Sequence, residues 1–160
     1  MDNKVEASMA YFAQNQCSGQ WRNFLRAMSG LLSEQMSESE LRAFMRALGA
    51  RMAADFNLPD CKTLQELQDA TNGIWKQIDW GWVEIFEETQ YIVVQHRCSP
   101  IIEGLGEEAS AWAPALLEGA YGYWFQRLGA GDDLVLRQTK GQIESTGGFE
   151  YRLGQPSAIE

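Results

Sequence analysis

The sequence predicts an α+β domain with the element order ααα-ββ-α-ββ: three N-terminal helices, a β-hairpin, a long helix and a second β-hairpin. Two observations lead to this prediction. Apolar residues recur every three or four positions in the first half of the chain, and two later segments instead alternate between apolar and polar residues. Strand pairs joined by short loops favour one antiparallel sheet with helices against it. The chain has 160 residues, which suits an N-terminal arm (1–19), one domain (20–154) and a tail (155–160).

The N-terminal segment and the first predicted helix differ in pattern. Residues 1–17 are polar except for the pair Tyr11 and Phe12, and we interpret them as an arm without regular structure. From Gln20 onward, apolar residues follow the spacing i, i+3, i+4, i+7, which predicts a helix with one buried face. The residues of that face are Trp21, Phe24, Leu25, Met28, Leu31 and Leu32.

The second and third helices are predicted to begin at capping residues. Ser37 followed by Glu40 is the pattern of a capping box. The helix that it opens places one apolar stripe toward the core, made of Leu41, Phe44, Met45, Leu48 and Met52. Thr63 with Glu66 three residues later predicts the start of a third helix, which ends near Ile78.

The second half of the chain is predicted to supply the sheet. Residues 82–87 alternate and residues 91–94 are a β-branched run, so a polar link at 87–90 predicts a hairpin. A fourth helix follows from about 110 to 128, with Pro114 early in it, where proline is tolerated. Residues 134–136 and 149–152 are two further short strands around a glycine-bearing loop.

Composition excludes several classes of function. The chain has 13 basic and 22 acidic residues and a net charge of −9, which argues against nucleic acid and anionic membrane surfaces as partners. The three cysteines, Cys17, Cys61 and Cys98, form no CxxC pair, so we expect no metal site and no cofactor. Without an apolar run of membrane-spanning length or a signal peptide, we expect no membrane insertion and a cytoplasmic location.

Two residues are candidates for chemistry, and each has a structural interpretation that we favour. His96 lies at a strand end with Cys98 two residues away, and a strand-end histidine bonded to the backbone accounts for it. Glu118 lies in an apolar helix, where a partner arginine or tryptophan N–H would explain it. No nucleophile or phosphate-binding signature is present, so we expect no enzyme.

The fourth predicted helix is unusually aromatic and has apolar residues on two faces. A helix of this kind is buried on more than one side, which in a small chain predicts a subunit interface. The residues assigned to that interface are Trp112, Tyr121, Trp124 and Phe125. Gly119 and Gly122 in the same helix predict close packing of its backbone against a neighbour, because glycine otherwise destabilises a helix.

Two segments resemble the BcsD or AcsD family, whose members are small subunits of bacterial cellulose synthase complexes. The first is residues 78–85, IDWGWVEI, followed by residues 93–96, VVQH. The second is residues 112–124, WAPALLEGAYGYW, which is similar to a family helix with the same order of tryptophan, proline, Leu-Glu-Gly, tyrosine and tryptophan. The residues that carry the resemblance are Trp80, Gly81, His96, Trp112, Pro114, Glu118, Gly119, Tyr121 and Trp124.

The resemblance implies a non-catalytic accessory subunit of cellulose export and crystallisation. It implies a homo-octameric ring, built as a tetramer of dimers, that guides β-1,4-glucan chains and aligns the synthase complexes with which it associates. N-terminal segments line the passages, which by position assigns glucan contacts to Gln16, Ser18, Gln20 and Trp21. A cytoplasmic place beside the inner-membrane synthase complex is expected, with the periplasm as the alternative.

A second function is compatible with the same order of elements. The arrangement ααα-ββ-α-ββ also resembles the vinyl-reductase-like and haem–NO-binding fold, whose members are small-molecule or haem-binding sensor modules. That function would require a closed pocket inside one chain, with His96 as a candidate ligand.

Overall fold

A computed structural model describes residues 3–144 and 148–159. The helices that it contains are α1 (Asn3–Asn15), α2 (Gly19–Gln35), α3 (Glu38–Ala54), α4 (Leu64–Gln77), α5 (Ile101–Leu105) and α6 (Ala115–Arg127). The strands are β1 (Trp82–Glu87), β2 (Tyr91–Arg97), β3 (Val135–Glu144) and β4 (Gly148–Gly154). Two 3-10 turns, Glu107–Ala109 and Pro156–Ala158, complete the described elements. The predicted α+β class is confirmed.

The four strands form one antiparallel sheet in the order β1-β2-β4-β3. Val83 faces His96 across the first pair, and His96 faces Phe149 across the second. Residues that are directly opposite each other on neighbouring strands point to the same face of the sheet, so these three side chains share a face. All three are buried, so this is the face that the helices cover.

Residues 3–15 form a regular helix, and the expectation of an arm without an element is wrong. Alanine, methionine, lysine, glutamate and glutamine are good helix formers, and they supply much of this segment. In the part of the chain that the structure describes, no residue of α1 is buried. The segment therefore differs from the arm that we expected in being helical, and it lies outside the core.

Helix α2 forms where it was predicted, but its apolar stripe is not buried as expected. Only Ser29 of this helix is fully buried, and α2 contacts the chain through a narrow face on which Leu25 approaches the position of Gly104. In α3, Leu41 and Met45 are buried, whereas Phe44 and Leu48 are exposed. The period of a helix predicts which residues share a face, but it does not say whether one chain covers that face.

The region before α6 is more divided than the sequence predicted. The expected helix from 110 to 128 begins at Ala115, because Pro114 occupies its N-cap position. The short helix α5 forms ahead of it, over residues for which no helix was predicted. Strand β3 is longer than predicted, since it continues from Val135 to Glu144 with irregular pairing against β4. The tip of the predicted glycine-bearing loop, residues 145–147, lies outside the described residues.

Helices α3 and α6 pack closely because a glycine in each helix faces the backbone of the other helix. A Cβ atom on Gly119 would lie 2.0 Å from the carbonyl oxygen of Arg46, and one on Gly49 would lie 1.8 Å from that of Leu116. Both distances are shorter than any real contact. The close packing predicted for Gly119 is therefore present, within the chain. A Cβ built on Gly122 would meet no atom of another described element within 4 Å, so within the described chain α6 has no such packing at Gly122.

The outer edge of β1 is closed by side chains of α4. The Asn72 amide accepts from the Val83 N–H at 2.7 Å and donates to the Val83 carbonyl at 2.9 Å. The Gln68 side-chain oxygen accepts from the Ile85 N–H at 2.8 Å. These are the edge positions at which an exposed strand would otherwise offer hydrogen bonds to another chain.

Candidate functional site

An aromatic cluster in the core joins four of the nine residues that carry the family resemblance. Trp75 lies at its centre, with ring centroids 5.3 Å from Trp124, 5.8 Å from Tyr121 and 5.1 Å from His96. Trp80 stacks on Trp75 at 6.1 Å with an interplanar angle of 15°. Offset and edge-to-face pairs of this kind stabilise a core beyond the area that they bury. The motif thus holds α4, α6 and the sheet together.

Hydrogen bonds in the cluster fix the tautomer of His96. Its Nε2 lies 2.7 Å from the Trp80 carbonyl, which can only accept, so Nε2 carries the proton. Its Nδ1 then accepts from the Tyr121 hydroxyl at 2.6 Å, and that hydroxyl accepts in turn from the Trp75 indole N–H at 2.9 Å. Every polar group in this chain of bonds has a partner.

His96 is neutral and has no lone pair left for a ligand. Burial lowers the pKa of His96 from 6.5 to about 4, and the hydrogen bond to Trp80 opposes that shift only in part. Burial also raises the pKa of Tyr121 well above 10, so its hydroxyl remains a donor. With both ring nitrogens engaged, this geometry does not support His96 as a haem ligand or as half of a dyad with Cys98.

Glu118 joins α3, α6 and β3 as a buried carboxylate. Its two oxygens lie 3.1 Å from Arg42 Nη2 and 3.1 Å from Arg46 Nη1, and one of them accepts from the Gln138 N–H at 3.0 Å. Arg42 also donates to the Ala111 carbonyl at 2.9 Å. The predicted role of Glu118 as an arginine partner agrees with these contacts.

The four residues assigned to a subunit interface lie inside the single chain. Trp112, Tyr121, Trp124 and Phe125 are between 1% and 6% exposed. The indole N–H of Trp124 donates to the Ala53 carbonyl at 3.3 Å, and the opposite side of α6 packs toward β4, where Tyr151 donates to the Pro114 carbonyl at 2.7 Å. The premise that one chain cannot bury both faces of this helix is wrong, because α3 covers one face and the sheet the other.

Exposed apolar area occurs instead on α2 and α3. Six large side chains there are between 38% and 57% exposed, and we call them the α2–α3 apolar surface: Trp21, Phe24, Met28, Leu31, Phe44 and Leu48. Several of them border an open groove of about 610 Å³ between the two helices. Trp112 and Leu116 form part of its floor, and Arg51 and Asp55 are the charged residues that line it. Contiguous apolar area of this kind marks a contact site on a soluble domain.

Three of the four residues assigned to glucan contacts border the same groove. Gln16, Ser18 and Trp21 line it, whereas Gln20 is exposed on α2 outside it. The Gln16 side-chain amide donates to the Cys98 carbonyl at 2.9 Å, and Ser18 is the N-cap residue of α2. Trp21 is 56% exposed and contacts Phe24 edge-on. The uncharged polar side chains of the lining, Gln16 and Ser18, thus lie just before the start of α2, which we call the N-terminal end of the groove.

Comparison with known proteins agrees with the family that these motifs indicate. The family model for the D subunit of cellulose synthase, BcsD, matches residues 7–152. The chain belongs to the BcsD family. Proteins named cellulose synthase operon protein D, from Komagataeibacter xylinus and Komagataeibacter sucrofermentans, are each 33% identical to it over 116 residues, which cover 71% of this chain and 74% of each relative.

Membership of the BcsD family supports an accessory role in cellulose synthesis. The sequence features that led to the family are mostly internal: Trp80, His96, Tyr121 and Trp124 build the aromatic cluster, and Glu118 joins three elements. Among the described residues, no helix of this BcsD-family chain combines the length and the apolar character needed to cross a bilayer.

Sequence reasoning missed two features of this BcsD-family chain. Trp75, the centre of the cluster, was not singled out, although it is one turn of helix from Thr71 on the buried face of α4. The exposure of Phe44 and Leu48 was missed because a helical period assigns them to a stripe without saying what covers it. The sequence did lead us to expect apolar helix surface that one chain does not cover. We assigned that surface to α6, whereas the exposed apolar side chains are on α2 and α3.

Proposed function

We propose that this chain is a non-catalytic accessory subunit that self-assembles and organises the output of a bacterial cellulose synthase complex. In this proposal eight copies form a ring, as a tetramer of dimers, that guides nascent β-1,4-glucan chains and aligns synthase complexes. Each copy also contacts other subunits of that complex. The family supports the connection with cellulose, and the α2–α3 apolar surface supports self-assembly.

The observation that carries the proposal is the α2–α3 apolar surface. Fully burying one large apolar side chain contributes about 1.5–3 kcal/mol, so six half-exposed ones leave a substantial driving force unused in a single chain. The groove beside them is lined almost entirely by apolar groups. A glucan chain, which carries hydroxyls along its length, would lose hydrogen bonds to water in such a groove, whereas a protein helix would not.

The state of the two candidate reactive groups supports a non-catalytic role. Glu118 has both oxygens committed to arginines and a backbone N–H, and His96 has both nitrogens committed within the core. Neither group is poised to exchange a proton with a ligand. The same commitment of His96 counts against the alternative of a haem-binding sensor.

Glucan contact is proposed for the polar N-terminal end of the groove, at residues 16–21. A neutral glucan would be recognised by amides, hydroxyls and an aromatic face, and Ser18, Gln20 and Trp21 present such groups at exposed positions. Location on the cytoplasmic side of the inner membrane is proposed, with the periplasm as the alternative. In the described structure Cys17, Cys61 and Cys98 form no disulfide, which is in keeping with a reducing compartment.

The mass of the protein in solution tests self-assembly. We expect light scattering to give a mass near eight subunits for the natural chain. Phe24→Asp should lower that mass, because it places a charge on the apolar surface at a side chain that is 57% exposed and contributes little to folding. Asn23→Asp, an exposed neighbour on the same helix, is the matched control and should leave the mass unchanged. A monomeric natural chain would contradict the proposal.

The glucan role needs a separate measurement. In a cellulose-producing strain, Gln20→Ala should reduce the crystallinity of the cellulose while the purified protein keeps its mass, because Gln20 lies outside the groove. Gln35→Ala, at the opposite end of α2 and also exposed, is the control. Natural crystallinity in the Gln20→Ala strain would argue that the protein aligns synthases without touching the glucan at this position.

A further inference from the structure

Helix α1 lies at the surface of its own chain. It has 13 residues, and in the described structure none of them is buried. Val5, Tyr11 and Phe12 are 47%, 64% and 68% exposed. A helix of this length is marginal in water on its own, and most helices in proteins depend on packing of an apolar face. The side chains of α1 therefore require a surface that the single chain does not provide.

The contacts at the end of α1 prevent it from reaching the groove of its own chain. Gln16 is bonded to the Cys98 carbonyl, and Arg22 donates to the carbonyls of Gln14 and Cys17. Phe12 and Asn15 lie on the side of α4 and β1, where they border a depression that also contains Trp82. Only residues 16–18 separate α1 from α2, so folding α1 back into the groove would break these bonds.

The groove has the dimensions and chemistry of a seat for such a helix. At a rise of about 1.5 Å per residue, the 13 residues of α1 span about 20 Å, and the 15 residues from Ser18 to Leu32, several of which line the groove, span about 22 Å. The charged residues of the lining are one cation, Arg51, and one anion, Asp55. The first turns of α1 likewise carry one cation and one anion, Lys4 and Glu6.

We infer that α1 of one copy occupies the α2–α3 groove of a second copy, and that the second copy returns the same contact. In a reciprocal exchange, one two-fold axis relates the two copies, so that each exposed α1 lies in the open groove of the other copy. This inference rests on the self-assembly proposed above, and it names the segment that builds the basic pair.

Photo-crosslinking from α1 tests the exchange directly. Val5 is replaced by benzoylphenylalanine, and chains labelled with ¹⁵N are mixed with unlabelled chains, dissociated and reassembled. We expect crosslinked peptides that join residue 5 to residues of α2 or α3 and that contain one labelled and one unlabelled partner. Crosslinks to α2 or α3 within one chain only, or crosslinks from residue 5 to other elements only, would overturn the exchange.

A pair of point variants supplies the second measurement. Val5→Asp should raise the dissociation constant of the basic pair by at least about tenfold, as expected when a buried aliphatic contact is replaced by a charge. Ala10→Asp adds the same charge on the opposite side of α1 and should have little effect. Equal effects would overturn the exchange. Assembly that persists with α1 deleted would overturn it and leave self-assembly intact, whereas a monomeric natural chain would contradict both.

Discussion

His96 shows how burial turns a titratable residue into a fixed structural part. The imidazole is enclosed by Trp75, Tyr121 and the Trp80 backbone, and its neutral form satisfies all of them. A proton added at Nδ1 would face the Tyr121 hydroxyl, which already accepts from Trp75. Burial disfavours the charged imidazolium, and this is what lowers the pKa of His96 to about 4.

This pKa predicts a pH window in which the fold loses stability. In the unfolded chain the histidine pKa is near 6.5, so between pH 6.5 and about 4 the unfolded state binds a proton that the folded state does not. The contribution of neutral His96 to the free energy of unfolding is complete above pH 6.5. It is lost as the pH falls through this window, by about 3 kcal/mol in all. Urea unfolding of the natural chain and of His96→Gln from pH 7.5 to 4.0 measures it. The difference in unfolding free energy between the two should shrink toward low pH; a constant difference would contradict the prediction.

Glu118 gives a second prediction at the scale of one residue. Glu118→Gln removes a buried negative charge and leaves Arg42 and Arg46 without their shared partner. Removing one member of a buried ion pair costs about 3 kcal/mol, and Arg46, which is 43% exposed, accounts for the smaller part because solvent screens it. Chemical denaturation checks the value, with Glu38→Gln on the rim of the same depression as the control. Equal stability of the two variants would contradict the prediction.

Sequence reasoning was more successful with Glu118 than with His96. A carboxylate in an apolar helix predicts a cationic partner from chemistry alone, although the sequence did not say that the partners would be Arg42 and Arg46. The partners of His96 could not be predicted, because Trp80, Tyr121 and Trp75 meet it from two helices and a loop. Their convergence depends on tertiary packing.

At the scale of elements, the crossing of α3 and α6 depends on glycine at one place and not at another. Gly119→Ala should destabilise the fold by about 1–3 kcal/mol, the usual cost of overpacking, because its Cβ would meet the Arg46 carbonyl. Gly122→Ala, one turn away in open space, should be neutral or stabilise the chain by up to about 1 kcal/mol through helix propensity. Thermal unfolding of the two variants provides the comparison, and a Gly122→Ala variant as unstable as Gly119→Ala would contradict it.

Helices α1, α2 and α6 show where prediction of elements reaches its limit. The existence of α2 followed from its period, and the capping box at Ser37 and Glu40 is present as predicted. The existence of α1 was missed because the helical spacing of Val5, Met9 and Phe12 is sparse among polar residues and was not weighed. The burial of α6 was misassigned, since an apolar helix looks the same in sequence whether a sheet or a second subunit covers it.

At the scale of the whole molecule, the chain separates a closed interior from an open exterior surface. In the interior, the aromatic cluster and the ion pairs of Glu118 join the helices to the sheet. On the exterior, α2 and α3 expose apolar side chains, and α1 has no buried residue. The sequence predicted excess apolar surface on α6, where the chain covers it, and locating the exposed area on α2 and α3 required the positions of all the elements together.

The closed edge of β1 has a consequence for how such a protein can accumulate. An open edge would let every molecule act as a template on which the next one adds a strand, and growth of that kind has no natural end. At Val83 and Ile85, an incoming strand must first displace the Asn72 and Gln68 amides. Crowding many copies of this chain together therefore favours contacts between helices, which stop at a finite size, over seeding of an unlimited fibre at this edge.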